Sequence, residues 1–579
     1  MATSVLAFGV QGCGGGDGGS ASSAPTTPSF APSPSEGAVL KPANDAEAAR
    51  FLLHAGLSAS TSEIAALRRD GFGPWLMLQM QMPNDQTAAG FFAAGRHDQI
   101  DERRAYDWEG VSDAMIWSQL LSGGNGVRKR IALALSELFV VSMEDLDFTW
   151  RSLAMGAYWD LLNEHVFGNY RDLLEALTLN PAMGAYLNTQ GNQKSDVKSG
   201  RSPDENFARE VMQLFSIGLH ELNTDGSLRL DAYGQPIEIF SNEDVVGLAK
   251  VFTGYNFDYS GLASTPAPDA PTKRTIWDPD YVRRPMTADP KKWIRPQSTS
   301  LHSAEEKRFL SVTIPAGTDA SQSLEIALDT LFNHRNVAPF FCRQMIQRLV
   351  TSNPTAAYVQ RIAQVFENNG HGRRGDLRAV FQAILLDTEA LSAAGLSDPR
   401  FGKVREPMLR LAHLGRTFAA SSTEGWAIGD LSNPSTRLGQ APLRSPSVFN
   451  FYRPRYAPAR TNISTNGMVA PEFQIINETS AAAYVNFMEK SVDGSGEWMT
   501  TVKLNYAEEV KVAHDATALI NRLSLLLTAD QLTSQTRQAL ISALSDQPVP
   551  EGGDEKSKLR RVHTAVFLIM VSPDYIIQR

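Results

Sequence analysis

The residues best placed to do acid–base chemistry sit inside apolar stretches. Of the eleven residues 131–141, nine are apolar, and Glu137 stands among them. A carboxylate in such surroundings is either desolvated with a raised pKa, which suits a general base, or neutralised by a partner. Arg130 lies seven residues earlier on the same helical face and is the expected partner in a buried pair. The segment 203–222 carries more. At 100° per residue, Phe207, Val211, Leu214, Phe215 and Leu222 share one face, and Asn206, Arg209, Gln213, Ser216 and His220 line the other. That polar stripe has no Lys, unlike an ordinary solvated face. Glu210 and Glu221 flank the apolar side. The spacing predicts one helix over 203–222, with Ser202 as N-cap, Pro203 at the first position and Glu205 completing a capping box. Two readings follow. In one, Arg209 and Glu210 form salt bridges that tie a structural helix to its neighbours. In the other, the stripe is a pocket wall. There Glu205, Arg209, Glu210 and Glu137 supply acid–base groups, His220 shuttles protons, and Glu164 and His165 contribute from a neighbouring helix.

Metal chemistry has weaker signals. Glu221, Asn223, Asp225 and Gly226 imitate the start of a calcium loop with Asp231 downstream, but the twelfth position is Ala232, where such a loop needs a bidentate Glu. Asp225-Gly226 therefore predicts a hairpin turn. His302 is a further metal candidate. The ten His residues are scattered, and no His-Glu-x-x-His, phosphate-binding loop or Gly-x-Ser-x-Gly elbow occurs, so no cofactor is identified. Cys342, in an apolar helical stretch, reads as a small buried hydrophobe rather than a nucleophile.

Positioning these groups falls to helices. Apolar residues recur at spacings of three and four over 46–56, 61–82, 113–121, 128–142, 151–166 and 169–179. The pattern resumes at 238–258, 322–350, 355–369, 374–387, 403–420, 472–490, 512–526, 529–545 and 557–571. The fold class is mainly α: a large multi-helix bundle with long irregular loops and at most a few short strands. Residues 45–259 and 321–579 form two helical halves. Between them, residues 260–320 are an irregular excursion rich in Pro, Thr and Asp. The chain has 579 residues with 54 Lys and Arg against 63 Asp and Glu, a formal charge of −9. Such acidity disfavours a nucleic-acid binder, which needs a basic face. No apolar run is long enough to span a bilayer.

The first residues point to export. Cys13 follows the short apolar stretch Val5–Val10, and 20 of the 23 residues 14–36 are Gly, Ser, Ala, Pro or Thr. This pattern is expected of a lipoprotein signal over 1–13, with Cys13 lipidated, and a flexible tether over 14–44. Membrane contact would then be through the lipid alone.

Several segments together resemble a known family: Arg130–Ser142, Tyr158–Leu162, Phe167–Leu174, Asn180-Pro-Ala-Met183, Pro203–Leu222, Phe252-Thr-Gly-Tyr255, Gly402–Pro407 and Ser572-Pro-Asp-Tyr575. The chain is similar over residues 45–579 to the bacterial domain of unknown function 1800. The resemblance implies an exported envelope protein, often encoded beside an exported sulfatase-like protein. It carries no activity, cofactor or residue role. The family's His-Asp ahead of a Lys is here His302-Ser303 ahead of Lys307. Two functions are consistent with all this. One is an envelope scaffold or binding module for a partner protein or surface polysaccharide, with an aromatic patch built from Trp277, Trp293 and Phe449–Tyr452. The other is a hydrolytic or metal-assisted envelope enzyme, which requires the ionisable groups to converge on one cleft.

Overall fold

The computed structural model describes residues 39–268, 274–546 and 548–579. Cys13 lies outside them. Among the described residues, 24 α-helices run from Asp45–Ala55 to Pro573–Ile576, with three two-stranded antiparallel pairs. The chain is mainly α, as expected. Most helices start where a short polar side chain takes up a free backbone N–H. Asn44 caps Glu47, and Ser60 with Glu63 completes a capping box.

Residues 40–579 form one contact unit. Its core interleaves early and late helices. Gly126–Ser136, nearly all buried, packs against both Arg151–His165 and Val337–Leu349. Gly110–Leu121 packs against Pro407–Thr417, and Asp45–Ala55 against Ala516–Thr528. No helix among the described residues is long and apolar enough to cross a membrane.

Several helices are shorter than their periodicity predicts, two of them for reasons the contacts show. The one expected over 128–142 ends at Ser136. Residues 138–142 stay buried but leave the helical path, because other segments take their backbone groups. The Tyr158 hydroxyl donates to the Phe139 carbonyl at 2.5 Å. Just beyond, Met143 N–H donates to Leu443 O at 3.0 Å. The helix expected over 238–258 is confined to Asn242–Ala249, and Gly254 turns the chain at φ +82°.

The 260–320 excursion contains two short hairpins, Ser264–Pro266 with Thr275–Trp277 and Lys307–Phe309 with Val312–Ile314. The expected aromatic patch does not form. Trp293 is buried with its indole N–H on Thr287 O at 3.1 Å, and Trp277 packs edge-on against Tyr259. The aromatics of the excursion cover the helical body instead.

His54, on the first helix, is fully buried. Burial, reinforced by Arg50, Arg130, Arg405 and Lys403, holds its pKa down to about 3. The unfolded chain protonates this residue near 6.5 and the folded chain does not, so its contribution to stability falls as pH drops below 6.5. The slope is about 1.4 kcal/mol per pH unit. Between pH 7 and pH 5, wild type is expected to lose about 2 kcal/mol more unfolding free energy than His54→Phe. Urea titrations at the two pH values check this; equal losses refute it.

Candidate functional site

The 203–222 segment departs from a single helix. Its α-helical part is Asn206–Glu210, which widens into a π-helix over Val211–Ser216. The Ser202–Glu205 capping box is absent; Asp204 Oδ1 instead accepts from Asn206 N–H at 2.8 Å. The helix stops at Gly218, whose φ of +77° suits glycine, and a Cβ there would lie 2.9 Å from the Phe340 ring. Ile217 and Gly218 N–H both donate to Met212 O, at 3.0 and 2.9 Å. His220 and Glu221 are therefore off the helix. They begin a ribbon in which His220 bridges to Glu238 and Leu222 to Leu228.

The metal candidates belong to that ribbon. Gly226 N–H donates to Asn223 O at 2.9 Å, closing the expected Asp-Gly turn. Asp225 accepts from Ser227 N–H and hydroxyl at 2.9 and 2.6 Å. Asn223 donates to the same hydroxyl at 3.0 Å. Asp231 caps a second turn by accepting from Tyr233 and Gln235 N–H at 2.8 and 2.9 Å. Glu221 pairs with Arg229. Their oxygens serve the backbone and each other. His302 is buried elsewhere, its Nδ1 2.9 Å from Thr253 O. Among the described residues, no three His, Cys, Asp or Glu gather as a metal site.

The acid–base candidates also scatter. Arg209 donates to Glu205 at 3.0 Å and to Asn242 at 3.1 Å on a half-exposed face. Among the described residues Glu210 forms no ion pair; burial pushes its pKa up and its Oε2 lacks a hydrogen-bond partner. Glu164 and His165 line a separate 380 Å³ cavity beside Arg283 and Arg284. The convergence that the enzymatic reading requires is not present.

Glu137 is buried in a larger charged cluster. Its partner is Arg348, at 3.5 Å, and not Arg130. Arg130 donates instead to the Arg348 carbonyl. The pair expected seven residues apart fails because Arg348, from the Val337–Leu349 helix, takes Glu137 as its ion-pair partner and Arg130 turns to the Arg348 carbonyl. Lys403, fully buried, donates to Arg348 O at 2.8 Å and lies 3.4 Å from Glu406 and 3.2 Å from Glu472. Gln440 donates to Glu406 at 2.8 Å. Burial, with the Glu406 charge behind it, drives the Glu137 carboxyl well up and favours its protonated form. Burial alone would raise Glu406, but Lys403, Glu137, Arg130 and Gln440 together outweigh it and hold that carboxylate down to about 2. Tyr452 is buried against the same carboxylates.

The segment holding Tyr452 joins this cluster to a cleft. Asn450 and Tyr452 point inward, whereas Phe449 and Arg453 line a 310 Å³ cavity. Its floor is one face of Val337–Leu349, carrying Phe340, Arg343, Gln344 and Gln347 at helical spacing. Its far wall is the π-helix and ribbon, through Gln213, Leu219 and His220. Arg455 completes the rim. Among the described residues, three arginines line this cavity and no carboxylate does. Burial lowers the Arg343 pKa, and the nearby Arg455 charge lowers it further. Arg343 Nη1 donates to Gly226 O at 3.1 Å, which holds it over the cleft. The Arg453 guanidinium lies over the Phe449 ring at 5.2 Å.

Of the sequence candidates, only His220 lines this cavity. Arg343, Arg453 and Arg455 escaped notice because they come from distant segments, and Lys403, Glu406 and Glu472 for the same reason. The one signal was the aromatic run Phe449–Tyr452, noticed as a patch.

The profile of a family described as "Protein of unknown function (DUF1800)" matches residues 50–577, and the chain belongs to that family. No curated protein and no solved structure matches it.

Proposed function

We propose that this chain is an exported binding module that recognises an acidic polysaccharide in the arginine-lined cleft. The observation that carries the reading is the combination of Arg343, Arg453 and Arg455 with no lining carboxylate. A carboxylate or sulfate ester satisfies guanidinium forks. Phe340 and Phe449 offer apolar faces for sugar C–H groups, and Gln213, Gln344 and Gln347 offer hydroxyl partners. In this reading Cys13 anchors the chain to the envelope through lipid, and the sulfatase-like partner implied by the resemblance acts on the same class of glycan.

The test is calorimetric titration with a polyuronate, a sulfated glycan and a neutral glucan. Binding is expected for the acidic glycans alone and to weaken with salt. Each charge-assisted hydrogen bond contributes about 1.5–3 kcal/mol, so Arg343→Gln or Arg455→Gln should weaken binding roughly ten- to hundredfold. Equal affinity for neutral glucan, or no effect of either substitution, refutes the proposal.

A further inference from the structure

The cleft does not end at Arg343. This residue also lines a second, larger cavity of 810 Å³. The two share Arg343 and are built on neighbouring stretches of chain. The first rests on the Val337–Leu349 helix, and the second follows the chain on from it, through Asn353 to the start of Ala356–Glu367. Both are walled by the same long segment, at 453–455 in the first and 466–468 in the second. Asn353 staples that segment down, donating to Val469 O at 2.9 Å and accepting from Val469 N–H at 2.8 Å. The tip of the Asp225–Gly226 turn seats at the junction. A Cβ on Gly226 would lie 3.0 Å from Val359 and 3.6 Å from Arg343.

The second cavity differs in chemistry. Away from Arg343, most of its charges are already held within the protein. Arg361 forks onto Asp387 at 2.8 and 2.7 Å, and Arg400 pairs with Asp398 at 3.1 Å. Glu389 accepts from Thr355 N–H and hydroxyl at 3.1 and 2.5 Å. What remains beyond Arg343 is a largely hydrogen-bonding surface with apolar ground at Phe401 and Met468. Such a surface suits hydroxyl-rich sugar rings and gives no preference for an anion.

We infer that the two cavities form one groove that binds a linear glycan over several sugar units, the acidic unit at Arg343–Arg455 and its neighbours along the second cavity. The inference rests on the acidic-glycan reading and extends it from a point of recognition to a track. Each sugar unit added along the second cavity should raise affinity, whereas a single-point cleft saturates with a short ligand.

The test compares a polyuronate disaccharide with the octasaccharide, by calorimetry on the whole chain. The octasaccharide is expected to bind at least about tenfold tighter, the equivalent of one further favourable subsite. Ala357 and Ala394 are exposed positions in the second cavity. Ala357→Trp and, independently, Ala394→Trp should abolish the length advantage and leave disaccharide affinity unchanged. Equal affinities of the two oligomers in wild type overturn the track and leave the cleft reading intact. A length advantage that survives both Trp substitutions also overturns it, since the extra units then lie elsewhere. Failure of both oligomers to bind overturns the cleft reading and the track with it.

Discussion

Lys403→Met is expected to lower the unfolding free energy by about 3–5 kcal/mol, because it leaves a buried carboxylate without its cation. Lys403 is the hub of the buried cluster, reaching the Arg348 carbonyl, Glu406 and Glu472 from a fully buried position. Lys403 is the largest of the groups that keep the Glu406 carboxylate ionised, ahead of Glu137, Arg130 and Gln440. Without it, Glu406 either remains charged in an apolar site or takes a proton, and both outcomes weaken the fold. Adding Glu406→Gln should recover part of the loss, since the uncompensated charge is then gone. Glu137→Gln is expected to change stability by less than about 1 kcal/mol, because an isosteric neutral amide replaces a carboxyl whose surroundings already favour protonation. Denaturant unfolding of the four proteins checks the series. Equal effects of Lys403→Met and Glu137→Gln would show that charge balance does not govern this cluster.

Arg444→Met should cost a similar amount, about 3–5 kcal/mol. Arg444 forks onto Asp113, Nε to Oδ1 at 2.9 Å and Nη2 to Oδ2 at 2.7 Å, and its third nitrogen reaches Glu144 at 2.8 Å. Asp113 is buried on Gly110–Leu121, so losing the guanidinium strands a carboxylate. The contact also holds the chain that leads into Phe449–Arg455. The variant should therefore be cut by protease within 441–456 under conditions where wild type resists, and should bind acidic glycan more weakly. Asp113→Asn in the same background should restore stability in part. A variant as stable as wild type would mean that the loop is held by its apolar contacts alone.

The helical class was legible because amphipathic spacing survives without any knowledge of tertiary contacts. The hairpin turn at Asp225-Gly226 was legible for a similar reason: its chemistry is local. What periodicity missed were helix ends set by distant partners. Leu138–Val141 is apolar enough to continue a helix, yet Tyr158 and the 443 region claim backbone at and just beyond it. The π-helix over Val211–Ser216 ends early at a glycine whose position is fixed by Phe340, more than a hundred residues away. The cleft was least legible. Arg343, Arg453 and Arg455 have no spacing that distinguishes them from surface arginines, and only the fold places them together.

The pairing of Lys403 with Gln578 and of Val404 with Ile577 carries a kinetic consequence. The Gln578 amide also donates to Leu53 O at 3.1 Å, across a sequence separation of 525 residues. The strand beside the charged hub is thus completed by residues that leave the ribosome long after the hub itself. Contacts of such long range form slowly. Until those residues are made, the hub lacks its closing strand, and late residues complete a cluster whose members span most of the chain.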